Sequence, residues 1–379
     1  MLLLLACTTP VDKDSSRDPV VDTAGEDTGG APDTGADTGA DSGDSATDTG
    51  EPDPPADDGW PAQFVAPYVD ATGYPTVKVG EIPAENGVDH YTLGFVVAAS
   101  GSECTATWGT YYSLEVGPSA WEGGGEYFLY DQIAQLRADG GDVMLSFGGA
   151  ANTPIEAACT SVEAVVAEYV RVIETLDLTR IDFDIEGSWV AHPASISRRS
   201  AAIAELQAWA AAEGRALHVW YTLPVLPSGL TADGVAVLQS AVDAGVVLDG
   251  VNVMTMDYGS GQAPNPEEKM GEYGIEAIES VHAQLTSLWP SLSEEEVWAR
   301  VASTPMIGQN DVAGEVFDLD DAAQTVAFAE AHGVGMLGFW SINRDHPCEA
   351  ETEWAQSTCS GYVDVPDWAF SRAFAAYGD

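Results

Sequence analysis

The stretch Arg180-Ile181-Asp182-Phe183-Asp184-Ile185-Glu186 decides how this chain is read. Apolar Ile181, Phe183 and Ile185 alternate with the acids Asp182, Asp184 and Glu186. A strict period of two marks a β-strand with unlike faces. The three carboxylates then share one face, roughly 6–7 Å from one to the next. Like charges that close and partly desolvated do not all ionise at neutral pH, so at least one is expected to stay protonated. A protonated carboxylic acid beside ionised partners is what acid-catalysed cleavage of a glycosidic bond requires. Taken alone, the stretch also fits an amphipathic strand of an antiparallel sheet with its acidic face in water.

The flanking sequence separates the two. Apolar strand-like runs at Phe64–Asp70, Tyr91–Ala98, Asp142–Phe147, Arg180–Ile185, Leu217–Tyr221, Val251–Met256, Val301–Pro305 and Met336–Ser341 are interleaved with helical patterns, among them Asp131–Ala138, Val162–Leu176, Ile196–Glu213 and Ala322–Ala331. Strands alternating with helices on this scale predict an α/β fold, a (β/α)8 TIM barrel. A doubly wound sheet would place a Gly-rich phosphate turn after the first strand, and none follows Asp70. Polar and aromatic residues collect at the strand ends: Asp70, Ser146, Glu186, Tyr221, Asp257 and Trp340. In a barrel those ends build the active site. An acidic inward face is intolerable in a packed core unless it serves one.

Composition bounds the rest. Of 379 residues, 13 are Lys or Arg and 61 are Asp or Glu, a net charge of −48 that argues against nucleic-acid binding. Such acidity fits a saline habitat or simple solubility. Thr8 to Gly59 is rich in Asp, Gly, Thr, Ala and Pro and lacks aromatics. It reads as a disordered acidic linker over residues 8–59. Its Asp-x-Asp patterns lack EF-hand spacing. Before it, Leu-Leu-Leu-Leu-Ala-Cys over residues 2–7 resembles a bacterial lipobox, with Cys7 as the lipid-bearing residue, although no basic n-region precedes it. The expectation is a short lipoprotein-type signal over 1–7, a tether, and a domain over 60–379, held outside the cytoplasm and touching membrane only through the anchor. The remaining four cysteines suit an oxidising compartment. Cys348 and Cys359 share one loop-like segment and are expected to pair, leaving Cys104 to Cys159. No Cys or His spacing suggests a metal site, no cofactor is expected, and the six His form no nucleophile–base arrangement.

Ile181 to Glu186, preceded by Leu178, resembles the signature strand of glycoside hydrolase family 18, the chitinases, whose pattern is Asp-Gly-x-Asp-x-Asp-x-Glu. Asp182, Asp184 and Glu186 fill its three essential acids, while Thr179 and Arg180 replace the leading Asp-Gly. The family's Ser-x-Gly-Gly appears as Ser146-Phe147-Gly148-Gly149, its Met-x-Tyr-Asp is similar to Met254-Thr255-Met256-Asp257, and Phe339-Trp340-Ser341 looks like the strand whose Trp floors the sugar site. With Tyr68-Val69-Asp70 and Cys104-Thr105-Ala106-Thr107-Trp108-Gly109, the chain looks most like the bacterial chitinase D-like branch. One departure is that Met256 occupies the slot of the family's Tyr, for which Tyr258, on the same face by strand geometry, stands as a substitute. Only a short loop separates Pro305 from the helix starting near Leu319, so the inserted subdomain that deepens the cleft in some members is missing.

The resemblance implies action on chitin or N-acetylglucosamine oligosaccharides, and a monomer is expected. Glu186 would be the general acid, and the substrate's own 2-acetamido oxygen the nucleophile. Asp184 would orient that group, Asp182 with Ser146 would tune Asp184, and Asp257 with Tyr258 would position the acetamido group. Trp340 would pack under the sugar; Ser146, Tyr221 and Asp70, at strand ends, and Trp108 are expected as further substrate-binding positions. Trp108 and Trp189 stand as extra sugar platforms or as pins that hold loops to the barrel. Two other functions share the pattern: a non-catalytic sugar-binding protein, disfavoured by the presence of Glu186, and an endo-acting enzyme on glycan cores or peptidoglycan.

Overall fold

The computed structural model describes residues 58–122, 125–350, 352 and 354–378. Cys7 and most of the expected linker lie outside the described residues. The strands follow the apolar runs: β1 (Phe64–Val65), β2 (Tyr68–Asp70), β3 (His90–Ser100), β4 (Asp142–Gly148), β5 (Arg180–Asp184), β6 (His218–Pro224), β7 (Gly250–Met254), β8 (Val301–Thr304) and β9 (Met336–Leu337). Neighbours pair in parallel from β3 to β9, and Phe64 pairs Met336 to close the ring. Counting β1 and β2 as one strand, this is an eight-stranded (β/α)8 barrel, as expected. The break between β1 and β2 falls at Pro67, which has no N–H to give; its carbonyl still accepts the Thr92 N–H at 3.0 Å.

Helices form the outer layer, among them α1 (Leu129–Ala138), α2 (Val162–Leu176), α3 (Pro193–Glu213), α4 (Ala232–Asp243), α5 (Met270–Leu288) and α6 (Leu319–His332). In α2, Val165, Tyr169, Val172, Ile173 and Leu176 recur at spacings of three and four and are buried. Ser161 caps its start by accepting the Ala164 N–H, and Asp177 ends it in the left-handed region. Helix α3 starts three residues before the expected Ile196, at Pro193, because proline suits the first helical position and the His192 side chain accepts the Ser195 N–H. Asp318 and Asp321 form a capping box at the start of α6, and Gly333 closes it. Both expected disulfides, Cys104–Cys159 and Cys348–Cys359, are formed. Residues 305–318 carry the two-residue pairing of Gly308–Gln309 with Val316–Phe317 and single bridges from Met306 to Trp340 and from Ile307 to Phe317, in keeping with the expected short loop.

Inside the barrel, Trp60, Phe64, Ala66, Met144, Trp220, Ala302 and Met336 form an apolar cluster of their own. Arg180 shares the inward face of β5 with the acids but lies at its amino end, over the rings of Trp60 and Phe64 at 4.8 Å each. There it is gripped by Asp58, Nε to Oδ2 at 2.7 Å and Nη2 to Oδ1 at 3.1 Å. Asp58 and Gly59 fall in the expected linker, yet the Asp58 side chain is only 3% exposed and belongs to the barrel's lower end. Removing one partner of a buried ion pair leaves an uncompensated charge, at a cost of about 3–5 kcal/mol. Asp58→Ala should therefore lower the unfolding free energy by about 3–5 kcal/mol, read as a lower urea midpoint at an unchanged slope. A midpoint equal to wild type would show that Arg180 finds water instead.

Candidate active site

The period of two holds through β5. Asp182 and Asp184 point into the barrel, while Ile181, Phe183 and Ile185 pack outward and are buried. Glu186 follows in extended conformation, at φ −128°, just before the short helical turn Gly187–Ala191. Asp182 has no exposed surface and accepts three hydroxyl hydrogen bonds: Ser146 Oγ at 2.6 Å and Tyr68 OH at 2.9 Å on Oδ2, and Thr222 Oγ1 at 2.7 Å on Oδ1. The Asn252 amide donates to Thr222 at 3.0 Å and accepts from Thr304 at 3.0 Å, extending the network across β7 and β8.

The glycines after Ser146 explain how the strands come so close. A Cβ on Gly148, at φ +109°, would meet the Asp184 carbonyl oxygen at 2.1 Å, and one on Gly149 would meet the Phe95 ring at 2.8 Å.

Above this network lies a cleft of about 210 Å³ lined by Tyr68, Phe95, Asp184, Glu186, Thr222, Met254, Met256, Asp257, Asp311 and Trp340 among others. Burial is the first cause of every shift here. It pushes Asp182 up to about 6, against the three hydroxyl bonds. Asp184 is raised well above the usual carboxylate range by burial and by the charges of Glu186 and Asp182. Glu186 is raised to about 7 by burial and by Asp257, opposed by its hydrogen bond with Asp184. The Asp184–Glu186 pair therefore titrates as a unit and holds a proton near neutrality. Asp257, at φ +52°, is also raised by burial; its Oδ1 accepts the Val312 N–H at 2.8 Å. The Trp340 ring stacks on Phe95, 5.7 Å between centroids at 21°, with Tyr68 at 6.1 Å. That leaves a partly exposed aromatic floor facing four acids, an arrangement that can donate a proton above an apolar ring face.

Six of the ten expected site residues do not line the cleft: Asp182 and Ser146 meet beneath it, the contact expected of them, and four others lie elsewhere. Ser146 is fully buried and touches Asp182 rather than the cleft. Tyr221 points outward against Phe183, ring centroids 5.8 Å apart, because β6 pairs Tyr221 with Phe183 and Thr222 with Asp184. The inward residue of β6 is Thr222. Asp70 turns back to accept the Thr72 N–H and Oγ1 at 3.0 and 2.9 Å, while Asn343 bonds its backbone. Trp108 is fully buried, its Nε1 donating to Tyr130 at 3.3 Å, so it pins its hairpin. Tyr258 is 6% exposed, packs near Tyr273 and does not line the cleft. The left-handed turn at Asp257 breaks the alternation that would have put it beside Met256. Trp189 sits beside His192, off the cleft lining. Sequence reasoning missed Tyr68, although Tyr68-Val69-Asp70 already implies that Tyr68 shares a face with Asp70. It also missed Phe95, Thr222 and Asp311.

A family model described as Glycosyl hydrolases family 18 matches residues 65–297. The chain belongs to that family. A probable bifunctional chitinase/lysozyme of Escherichia coli (strain K12) is 42% identical over 324 residues, 84% of this chain and 35% of that protein. Endochitinase 11 of Metarhizium anisopliae is 43% identical over 292 residues, 76% of this chain and 53% of that protein. The chain thus spans less than two thirds of either relative. The crystal structure of the catalytic domain of a hyperthermophilic chitinase from Pyrococcus furiosus matches with a TM-score of 0.72 at 32% identity, covering 83% of this chain and 95% of that one. Catalytic site mutants of active domain 2 of a thermostable chitinase from the same organism, complexed with chito-oligosaccharides, match with a TM-score of 0.72 at 31% identity, covering 83% of this chain and 94% of that one. The matched segment includes Asp184, Glu186 and Asp257, which line the cleft, and Asp182, which lies buried beneath it.

The raised Glu186 has a consequence for folding. A carboxyl with a higher pKa in the folded than in the unfolded state contributes most below the unfolded value, and that contribution is lost as pH rises through the folded one. For Glu186 the window runs from 4.5 to about 7. Glu186→Gln should accordingly melt higher than wild type at pH 8 and at the same temperature at pH 4. An equal difference at both pH values would mean that the carboxyl is not perturbed.

Proposed function

We propose that this chain is a chitinase that hydrolyses β-1,4-linked N-acetylglucosamine oligomers or polymers with retention at the anomeric carbon. The observation that carries the reading is the ladder Asp182–Asp184–Glu186 rising from the buried network into the cleft beside Trp340. Glu186 gives its proton to the glycosidic oxygen as the C1–O bond breaks. The substrate's 2-acetamido oxygen closes on C1, forming a cyclic oxazolinium ion, and Asp184 orients the acetamido N–H and offsets the charge. Water then attacks C1, the ring opens, and Glu186 takes the water's proton, so no covalent enzyme intermediate forms. Asp182 keeps Asp184 in place, and Asp257 lies where the acetamido group would be held. Trp340 offers the apolar face for the pyranose ring. Met256 lines the cleft in place of the family's tyrosine, and Asp257, with Asp311 near it, brings polar character to that wall.

The name of the E. coli relative favours one companion reading, cleavage of peptidoglycan, which shares the same acids. The proposal extends to location. Two disulfides suit an oxidising compartment, and Cys7 with the acidic tether would hold the catalytic domain at a membrane surface as a lipoprotein.

Hydrolysis of a soluble chitin tetramer, with products resolved by anomer, tests the reading. Wild type should release the β-anomer, and Glu186→Gln should lose at least about a hundredfold in kcat. Because the acid must be protonated, kcat/KM should fall as pH rises through about 7. Release of the α-anomer would rule out the substrate-assisted route, and a Glu186→Gln enzyme of wild-type activity would remove Glu186 from the chemistry. A wild type that binds the tetramer without cleaving it would be a sugar-binding protein. Cleavage of peptidoglycan but not of the tetramer would favour the companion reading.

A further inference from the structure

Asp257 is held at the cleft wall by a contact between the turn after β7 and the loop after β8. Its backbone is left-handed, φ +52°, a conformation that Asp adopts more readily than most L residues but that still gains from outside support. Two reciprocal contacts supply that support. The Asp257 carboxylate accepts the Val312 N–H at 2.8 Å. In return Glu315, 1% exposed, accepts the Tyr258 N–H on Oε2 at 2.9 Å and the Gly259 N–H on Oε1 at 2.6 Å. Each segment caps the other's backbone with a carboxylate, in the manner of a capping box.

The loop that carries Glu315 is itself fixed. Asn310 Nδ2 donates to the carbonyls of Met306 and Gly308 at 2.8 and 3.1 Å. Buried Arg344 donates to those of Ile307 and Gln309 at 2.9 and 2.5 Å. Burying a carboxylate is costly, and its two oxygens each answer one of two adjacent N–H groups, where an amide in the same place would turn its NH2 donor against one of them.

We propose that Glu315 is a positioning residue for the hydrolytic reaction, fixing the Asp257 carboxylate at the cleft wall by gripping the two peptide N–H groups that follow it. The inference rests on the reading above, in which Asp257 holds the substrate's acetamido group. Glu315 lines no part of the cleft, so its influence passes through Asp257. A residue that merely supported the fold would weaken the enzyme whether or not residue 257 is an acid.

A double-mutant cycle separates the two roles. The parameters kcat and KM on the soluble chitin tetramer, with melting temperatures, are measured for wild type, Glu315→Gln, Asp257→Asn and the double variant. Glu315→Gln should lose about tenfold in kcat/KM and Asp257→Asn at least as much, while Glu315→Gln added to Asp257→Asn should lose under about twofold more. Losses that multiply, or a Glu315→Gln enzyme equal to wild type, overturn the inference and leave the proposed function standing. An Asp257→Asn enzyme of wild-type activity beside an inactive Glu186→Gln enzyme overturns the role of Asp257 and this inference together, but not the acid. Full activity in all variants, Glu186→Gln included, overturns the proposed function itself. Glu315→Asp keeps the charge on a shorter stem and replaces Glu315→Gln in the same cycle should the latter not fold, with the same outcomes deciding.

Discussion

A carboxylate buried in the middle of a barrel with hydroxyls for partners is the constraint on which the upper half of this molecule depends. Asp182 draws Tyr68, Ser146 and Thr222 from three different strands, and Asn252 and Thr304 complete the network. Hydroxyls satisfy a carboxylate without neutralising it, so burial still lifts Asp182 to about 6. Its charge helps to raise Asp184, and Asp184 shares its hydrogen bond with Glu186, which lies at the mouth of the cleft. One buried acid thereby bears on the Asp184–Glu186 pair, whose own burial remains the first cause of its raised pKa.

Much of this was legible because β5 carries its message in its own alternation. Three acids against three apolar residues fix both the strand and its inward face, and the runs around it predict the barrel. The phase of β6 was not legible. His218-Val219-Trp220-Tyr221-Thr222-Leu223-Pro224 is buried on both faces for most of its length, so polarity does not say which face turns inward. Tyr221 looks like the functional residue of that run, whereas the pairing of Thr222 with Asp184 gives the role to Thr222. Tyr258 failed for another reason. Two residues along a strand means the same face only while the backbone stays extended, and Asp257 does not. In the sequence Asp70 reads as a strand end and Trp108 as a loop residue that could offer a sugar platform, but local hydrogen bonds claim both. Phe95 belongs to β3, whose residues are buried along nearly all of its length and offer no contrast to mark it.

Two solutions to the same electrostatic problem sit on one face of one strand. At the amino end of β5, Arg180 is paired by both oxygens of Asp58 and covered by Trp60 and Phe64, so its charge is matched and shielded. At the carboxyl end, Asp184 and Glu186 face a cleft whose lining, among the described residues, includes no lysine, arginine or histidine. A cation there would lower both carboxyls and strip the proton that acid catalysis needs. Arg344 is the instructive case. It lies close enough to Asp257 to pull its pKa down, yet it is buried, and its guanidinium donates to the carbonyls of Ile307, Gln309 and Gln356. It braces the wall from behind without entering the cleft. The matched pair below and the unmatched acids above divide the labour along the barrel axis, the lower end supplying stability and the upper end reactivity.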